Sequence, residues 1–465
     1  MGATMVLPRD RWTRAAGLLG ILALVLGGCA SPAGRPVIDL AARPTAAVYA
    51  HLADLVDAHL REGQLAQWYP RCVDTARGGF HQRFARDWTP LADESKFLVF
   101  QARMTWVPAA ASLYDPQLAG TYRPYALHGL DFLEKAMSDP QGGALYWQVD
   151  PAGRPAPPFG DEKHAYGLSF AIYAGAAVFE ATREPRALAL AMATFHWLDE
   201  HGHDPAGGGY WEAFARHGTP IIAPRKDVSP PRSTDGLGTP YGYKSMNTHI
   251  HLLESFTALY RVHPQERVRL RLEELLALVR DRIAVEPGCL NYYFTPDWRA
   301  VPMHDSFGHD VETAYLLVEA AEALGRPDDE ATWRVARDIV DHALAWGWDE
   351  KAGGFYYGGQ AFAPAHDRTK TWWTQAEGLN ALLLVHCKYG DKNGRYWRAF
   401  LKQLRFIWEH QIDPVYGGWY NELTPEGDLK SGADKGTPWK EVYHDSRALM
   451  NVAARLRELA ARAKK

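Results

Sequence analysis

The chain has 465 residues, few cysteines and no excess of one charge. Of its four cysteines, Cys72, Cys289 and Cys387 lie far apart without a Cys-x-x-Cys pair, which excludes a zinc ribbon or a disulfide framework. The 51 Lys and Arg face 55 Asp and Glu, a formal charge of −4 with no long basic run, so no nucleic-acid partner is expected. No glycine-rich phosphate loop and no nucleophile elbow stand out.

A long apolar run is lacking too. The stretch LLGILALVL at 18–26 is too short to span a membrane comfortably as a mature helix. It follows three arginines and ends in LGGCAS, a pattern that resembles a bacterial lipoprotein signal. We therefore expect residues 1–28 to be a signal peptide and Cys29 to be lipidated at the start of a tether over 29–45. An uncleaved anchor or a misread start site is the alternative.

The lipid anchor predicts a location. The protein would lie in the bacterial cell envelope, at the outer membrane or the periplasmic face, and would touch the membrane through the lipid alone. Ala30 follows the cysteine, where an aspartate would suggest retention in the inner membrane, and this favours the outer membrane.

Aromatic residues are plentiful. They make up 12% of the chain, including 17 Trp, within an apolar content of 47%. Flat aromatic faces are suited to sugar rings, but large cores also use them, so composition alone leaves both readings open.

A repeat sets the domain organisation. Each copy has an aspartate, a short gap, two glycines and then aromatics, at a spacing of about 64 residues. Between copies the apolar pattern predicts two amphipathic helices. The glycines stand at 78–79, 142–143, 207–209, 353–354 and 417–418, with a degraded copy at 286–294.

Six copies at a near-constant period predict one repeat architecture over residues 46–465, an all-α domain rather than three separate domains. Six helix pairs closed on themselves form an (α/α)6 barrel, a toroid with short glycine-rich hairpins at one end. An open solenoid is the alternative. A functional site is expected in the funnel of the barrel.

The segment KSMNTHIHLLES (244–255) at first suggests a metal clamp. On a helix, however, His249 and His251 point about 200° apart, so they cannot bind one ion together. Asn247, His251 and Glu254 instead fall on one stripe, where His251 and Glu254 can form a hydrogen-bonded pair. We therefore predict no metal site and a structural His249, and a buried polar cluster is the alternative for the stripe.

Other segments place polar groups on apolar helices. His309 and Glu312 are three residues apart and can face each other, so the carboxylate can raise the pKa of the imidazole. Arg103 stands among apolar residues, where an arginine needs a paired anion. A helix cap and a structural salt bridge are the respective alternatives. Further polar and aromatic groups are Trp372, Trp373, Gln375 and Glu377, and Trp439, Lys440, Tyr443, His444, Asp445 and Arg447.

Five ordered motifs carry a resemblance to a known family: KSMNTHIHLLE, SFGHDVETAYLL, TWWTQAEGL, GGWY and WKEVYHDSRA. Over about residues 50 to 460 they resemble the N-acylglucosamine 2-epimerase superfamily, and most closely its cellobiose 2-epimerases. The resemblance implies an (α/α)6 barrel, in agreement with the repeat count. It also implies an isomerase that inverts C2 of a reducing-end sugar without a metal or redox cofactor.

The implied reaction opens the sugar ring, removes the C2 proton to give a cis-enediolate, rotates the C2–C3 bond and returns a proton to the other face. By the resemblance His309 and His444 move the proton, Glu312 tunes His309, and Arg103 with His251 holds the enediolate. The implied sugar contacts are Asn247, Tyr166, Trp373 and Trp439, with Glu254 beside His251.

Three departures from the family leave the substrate open. Tyr315 stands where Trp is frequent, Asp445 stands where Asn is frequent, and the Pro-rich loop before Lys244 is longer. The expected partner is a small oligosaccharide or a monosaccharide, bound by a monomer. A 2-epimerase of a β-linked disaccharide is weighed against an aldose–ketose isomerase or a monosaccharide or N-acylglucosamine epimerase. A glycoside hydrolase or lyase using Asp310, Glu312 and Glu377, and an inactive sugar-binding lipoprotein, are the readings from other classes.

Overall fold

The computed structural model describes most of the chain beyond the predicted signal. Residues 1–35 lie outside the described part, so the expectations for the signal peptide and Cys29 fall there. No described helix is long and apolar enough to cross a membrane. The described residues are 36–464 without 93–94, 286–287, 302–304, 391–392 and 431–433.

Six long helices form an inner ring. Each contacts the next one in chain order, and the last contacts the first, so the ring closes. Most of their residues are buried because both faces are covered, which is the pattern of a buried helix, and α13 alone among them exposes a charged face in its second half. Their bounds are α3 Leu98–Tyr114, α5 Ala165–Thr182, α7 Met246–Val262, α9 Phe307–Ala323, α11 Trp372–Tyr389 and α13 Tyr443–Arg462.

Six outer helices complete the pairs. Each packs on an inner helix and is amphipathic. In α10, Asp329 also caps the first turn, because its side chain accepts a hydrogen bond from Thr332 N. The predicted (α/α)6 barrel is confirmed. The outer helices are α1 Ala46–Ala58, α4 Ala119–Phe132, α6 Pro185–His201, α8 Glu266–Leu278, α10 Glu330–Trp346 and α12 Arg395–Phe406, and a short α2 spans Ala66–Trp68.

Short antiparallel strands lead into five of the inner helices. β1, β3, β5, β10 and β12 each end directly before an inner helix, and each pairs with a strand that follows a later turn. The strand pairs are β1 Lys96–Phe97 with β2 Gln148–Val149, β3 Glu162–His164 with β4 Ala213–Ala215, β5 Lys244–Ser245 with β8 Tyr293–Phe294 and then β9 Ala300–Val301, β6 Ala284–Val285 with β7 Cys289–Leu290, β10 Asp305–Ser306 with β11 Gly358–Gly359, and β12 Lys370–Thr371 with β13 Glu422–Leu423.

A buried lysine–aspartate pair recurs around the ring. The aspartate of a glycine-rich turn accepts from a lysine that lies ahead of the next inner helix, so each pair ties two repeats together. Lys244 also donates to the carbonyl of Gly208 at 2.7 Å, and Gly208 holds a φ of +74° that favours glycine. The pairs are Lys96–Asp74 (2.8 Å), Lys163–Asp139 (3.1 Å), Lys244–Asp204 (2.7 Å), Lys370–Asp349 (2.7 Å) and Lys435–Asp413 (2.8 Å).

The repeat before α9 departs from this rule. β10 begins with Asp305, where β1, β5 and β12 begin with lysine. His342 of α10 lies with Nδ1 3.5 Å from Asp305 and 2.8 Å from Asp310. Although burial opposes a charged imidazole, the Asp310 carboxylate outweighs it and raises the pKa of His342 to about 9. A histidine from an outer helix therefore supplies the cation here.

We predict that Lys244→Met lowers the free energy of unfolding by about 3–5 kcal/mol, because it leaves the Asp204 carboxylate buried without its cation. Urea denaturation followed by circular dichroism measures the change. The matched control is Lys135→Met, which breaks a pair with Asp131 whose lysine side chain is 70% exposed, and it should cost no more than about 1 kcal/mol. Equal losses in the two variants would contradict a structural role for the buried pair.

Candidate active site

A cavity of about 470 Å³ opens within the ring of inner helices. Its size suits a small organic ligand. Glu254 lies behind the wall, against His251. The other nine residues singled out from the sequence as site residues all line the cavity: Arg103, Tyr166, Asn247, His251, His309, Glu312, Trp373, Trp439 and His444.

His444 stands in the first turn of α13 and is fixed by a carboxylate. Its Nδ1 lies 2.8 Å from Glu377 Oε1, so Nδ1 carries the hydrogen and Nε2 is the nitrogen able to take a proton. Burial, together with the positive charges of Arg103 and Arg447, lowers the pKa of His444 well below its ordinary 6.5. A neutral, oriented imidazole is a base that stays available at neutral pH.

His309 lies in the first turn of α9. Its Nδ1 hydrogen-bonds with Ser306 Oγ at 2.7 Å, which orients the imidazole. The indole of Trp373 lies with its ring centroid 4.8 Å from His309 and 5.7 Å from His444. Both imidazoles therefore lie close to one aromatic side chain in the same cavity.

Glu312 lies against Arg447 and His444, whereas the sequence pairs it with His309. Its Oε1 accepts from Arg447 Nη2 at 2.5 Å and lies 3.7 Å from His444 Nδ1. Burial and the neighbouring Glu377 raise the pKa of Glu312. The carboxylate is thus placed to influence His444, and its predicted tuning of His309 stays a prediction.

Arg447 organises the carboxylates behind the cavity. Its guanidinium is 1% exposed, and Nη2 donates to Glu312 Oε1 and, at 2.7 Å, to Glu377 Oε1. Nη1 donates to Glu254 and to the hydroxyl of Tyr443. One buried cation therefore holds three glutamates from three inner helices. The sequence placed Arg447 in a polar segment but gave no sign of these partners.

The two histidines of the segment 244–255 separate as helical geometry predicts. His251 lines the cavity, and its Nδ1 lies 2.9 Å from Glu254 Oε2, so the predicted pair is confirmed. Burial would raise the pKa of Glu254, but Arg447 and His251 lower it to about 2.

His249 is structural, as predicted. Its Nδ1 donates to the Ser245 carbonyl at 2.7 Å and its Nε2 accepts from Tyr210 N at 3.0 Å. Burial lowers the pKa of His249 to about 4, so both nitrogens serve the backbone and the ring stays neutral.

Arg103 has the paired anion that its buried position requires. Nη1 donates to Glu441 Oε1 at 3.0 Å, and Nη2 donates to the hydroxyl of Tyr166 at 3.2 Å. The guanidinium also lies over the ring of Phe170 at 4.3 Å. Nε has no hydrogen-bond partner among the described residues. A cation held this firmly at the cavity wall is suited to stabilising a developing oxyanion.

Eight of the residues that line the cavity were missed by the sequence reasoning. Trp439, which the sequence did single out, is 42% exposed and packs on Phe97 with ring centroids 4.8 Å apart. The aromatics that follow the glycine-rich turns were a signal for part of this set, since the stretches NYYF and GGFYY supply two of its tyrosines. The missed lining residues are Leu237, Tyr292, Tyr357, Asp367, Thr369, Thr371, Glu422 and Lys430.

A metal ion was not expected, and the geometry offers one test of that expectation. Glu312, Glu377 and His444 bring ligand atoms within 4.8 Å of one another. Arg447 donates to both carboxylates, so its guanidinium already supplies the positive charge that an ion would bring. The set fits a hydrogen-bonded ion cluster better than a metal centre.

We predict that His444 remains neutral, with the hydrogen on Nδ1, as the pH falls from 8 to 6. Because its pKa in the folded protein lies below that of the unfolded chain, the unfolded state binds more protons, and this group removes stability as the pH falls through 6.5. ¹⁵N-histidine NMR measures the titration, with His444→Gln assigning the signal and urea-unfolded protein as the reference. A midpoint at or above 6.5 in the folded protein would contradict it.

Comparisons with known proteins agree with this fold. A cellobiose 2-epimerase of Bacteroides fragilis is 29% identical over 389 residues, which cover 83% of this chain and 95% of that protein. A D-mannose isomerase of Marinomonas mediterranea is 25% identical over 85% of this chain and 96% of that protein. The structure of a cellobiose 2-epimerase from Spirochaeta thermophila superposes with a TM-score of 0.77 at 32% identity, covering 89% and 98% of the two chains. Residues 78–448 match the family N-acylglucosamine 2-epimerase (GlcNAc 2-epimerase), and the chain belongs to this family of carbohydrate isomerases.

Proposed function

We propose that the protein is a 2-epimerase that inverts C2 at the reducing end of a free saccharide. The observation that carries the proposal is that the ring centroids of His309 and His444 lie 4.8 and 5.7 Å from that of Trp373, in one cavity with Arg103. Inverting a carbon through an enediolate needs one group to remove the proton and a second to return it from the opposite face. The two imidazoles meet that need.

The proposed sequence of proton transfers follows the site geometry. After ring opening, neutral His444 takes the C2 proton at Nε2, and its Nδ1 hydrogen remains on the Glu377 side. Arg103 and His251 donate to the enediolate oxygens while the C2–C3 bond rotates. His309 then gives a proton to the other face of C2, so one imidazole gains a proton and the other loses one. The reverse reaction exchanges their roles.

We propose a β-linked disaccharide such as cellobiose or a mannobiose as the substrate. The cavity volume of about 470 Å³ exceeds the needs of one sugar ring, and Trp439 offers an exposed aromatic face at the mouth. The names of the relatives from Bacteroides fragilis and Spirochaeta thermophila support the same substrate class.

An aldose–ketose isomerase is the second candidate, because the Marinomonas mediterranea relative is named a D-mannose isomerase. It shares the enediolate and differs only in returning the proton to C1. A monosaccharide or N-acylglucosamine epimerase uses the same groups. The hydrolase alternative is weaker, since Glu312 and Glu377 are both engaged by Arg447. We further propose a monomer anchored in the cell envelope through lipidated Cys29.

Incubation of the purified protein with cellobiose, mannobiose or mannose in deuterated water tests the reaction class. We expect the C2 epimer to appear with deuterium at C2, because the proton passes through exchangeable imidazoles. NMR of the sugars measures both product and label. Deuterium at C1 of a ketose would replace the proposal by the isomerase. Cleavage of the disaccharide, or neither exchange nor cleavage with any sugar, would overturn it.

His309→Ala and His444→Ala should each lower kcat by about 10²–10⁴-fold or more, since each removes one of two required proton carriers. Sugar turnover measured by chromatography gives the rate, and circular dichroism checks that the variants are folded. His51→Ala, at an exposed position on α1, is the matched control and should keep full activity. Full activity in either site variant would rule out the two-histidine mechanism.

A further inference from the structure

The Pro-rich loop before Lys244 folds into a defined hairpin-like segment. Residues 225–241, called the insert from here, begin with a pair of backbone hydrogen bonds between Arg225 and Arg232 at 2.8 and 3.0 Å. A second antiparallel bridge joins Thr234 to Pro240. The insert therefore has its own internal geometry.

Three side chains fix the insert to β3 through a single carboxylate. Glu162 is 3% exposed and accepts from Arg225 Nη1 at 3.1 Å and from Arg232 Nη2 at 2.5 Å. The hydroxyl of Tyr241 donates to the same carboxylate at 2.9 Å. Both ends of the insert are thus attached to the strand that leads into α5.

Asp235 connects the tip of the insert to the wall of the cavity. Its buried carboxylate accepts from Leu237 N at 2.8 Å and Thr239 N at 2.9 Å, which shapes the turn, and from His164 Nε2 at 2.8 Å. His164 Nδ1 in turn accepts from Tyr166 N at 3.1 Å. Because Nδ1 accepts, Nε2 carries the hydrogen, and the imidazole links the insert directly to Tyr166.

The turn shaped by Asp235 carries Leu237 to the cavity. Leu237 lines the cavity and is half-buried, and Gly236 beside it lies so close to Trp147 that a Cβ would fall 2.8 Å from the indole. Trp439 and Tyr166 line the cavity too, and their rings approach to 6.5 Å. Leu237, Trp439 and Tyr166 each give the cavity apolar surface, called the apolar wall from here, while the lining residues Thr369, Glu422 and Lys430 are polar.

We propose that Leu237 is a specificity-determining residue, which gives the second, non-reacting ring of a disaccharide an apolar face to pack against. The proposal rests on the proposed function, which places the reducing ring among His309, His444 and Trp373. A pyranose ring has an apolar face of C–H groups and a rim of hydroxyls, so an apolar wall with separate polar groups is suited to it. A monosaccharide bound at the two imidazoles has no second ring to use this wall.

Asp235 is the positioning residue in this proposal. It does not line the cavity, and it acts by setting the turn that carries Leu237 and by holding that turn to His164. Removing its carboxylate should therefore lower kcat/KM for a disaccharide as shortening Leu237 does. The double variant should lose little more kcat/KM than either single variant.

Leu237→Ala should lower kcat/KM for cellobiose by about fivefold to tenfold, since it removes apolar contact with the second ring, and should leave kcat/KM for mannose within about twofold. Ile222→Ala is the matched control, because Ile222 is 58% exposed just before the insert and does not line the cavity. Calorimetric binding of cellobiose to wild type and to Leu237→Ala is measured beside the kinetics, with a melting curve for each variant.

A selective loss for the disaccharide supports the proposal. An equal loss for both sugars, or no loss for either, overturns it, because Leu237 would then act on the fold or on nothing. If wild type binds cellobiose in a Leu237-dependent way without turning over any sugar, the proposed function is wrong. The role of Leu237 in binding the second sugar ring is then still supported. Absence of binding and turnover overturns both. For Asp235→Ala, the same selective loss, not additive with Leu237→Ala, is expected, and additive losses overturn its positioning role.

Discussion

The buried contact between a lysine and the aspartate of the preceding glycine-rich turn is the constraint on which this barrel depends. A charge out of water is costly unless a partner and further hydrogen bonds compensate it, and here the carboxylate and the turn carbonyls do so. The contact fixes the distance between one repeat and the next inner helix. Because each inner helix begins at the end where the site residues gather, the same contact also sets where Asn247 and Trp373 lie in the first turns of α7 and α11.

A further buried cation, Arg447, holds the carboxylates behind the cavity, as the lysines hold the aspartates of the turns. Arg447 gathers three glutamates from α7, α9 and α11, and two of them hydrogen-bond with histidines of the cavity, Glu254 with His251 and Glu377 with His444. The orientation of an imidazole is thereby decided by a residue that stands outside the cavity. This arrangement separates the groups that line the cavity from the charge that holds them in place.

Much of the fold and of the candidate site could be predicted from the sequence. The rest could not, because it depends on contacts between segments that lie far apart in the chain. Periodicity assigns residues to a helix face, so the repeat count, the separation of His249 from His251 and the pair of His251 with Glu254 all follow from spacing. The three glutamates that Arg447 holds come from other helices, and the anion of Arg103 comes from the segment before α13, since Glu441 is 338 positions from Arg103. Spacing along one helix carries no information about which face of another helix it meets, and the lysines of the recurring pair escaped notice for that reason.

Asp305 takes the position of the recurring buried lysine in the repeat that leads into α9. The ring keeps its lysine in five places and gives it up in the one that leads into α9, directly before Ser306, whose hydroxyl orients His309. This repeat takes its buried cation from His342 on an outer helix, so the strand that leads to His309 carries no lysine. In the proposed reaction His309 exchanges a proton, and the one irregular repeat is thus the one in which the supporting charge comes from a neighbouring helix and not from the segment that positions this imidazole.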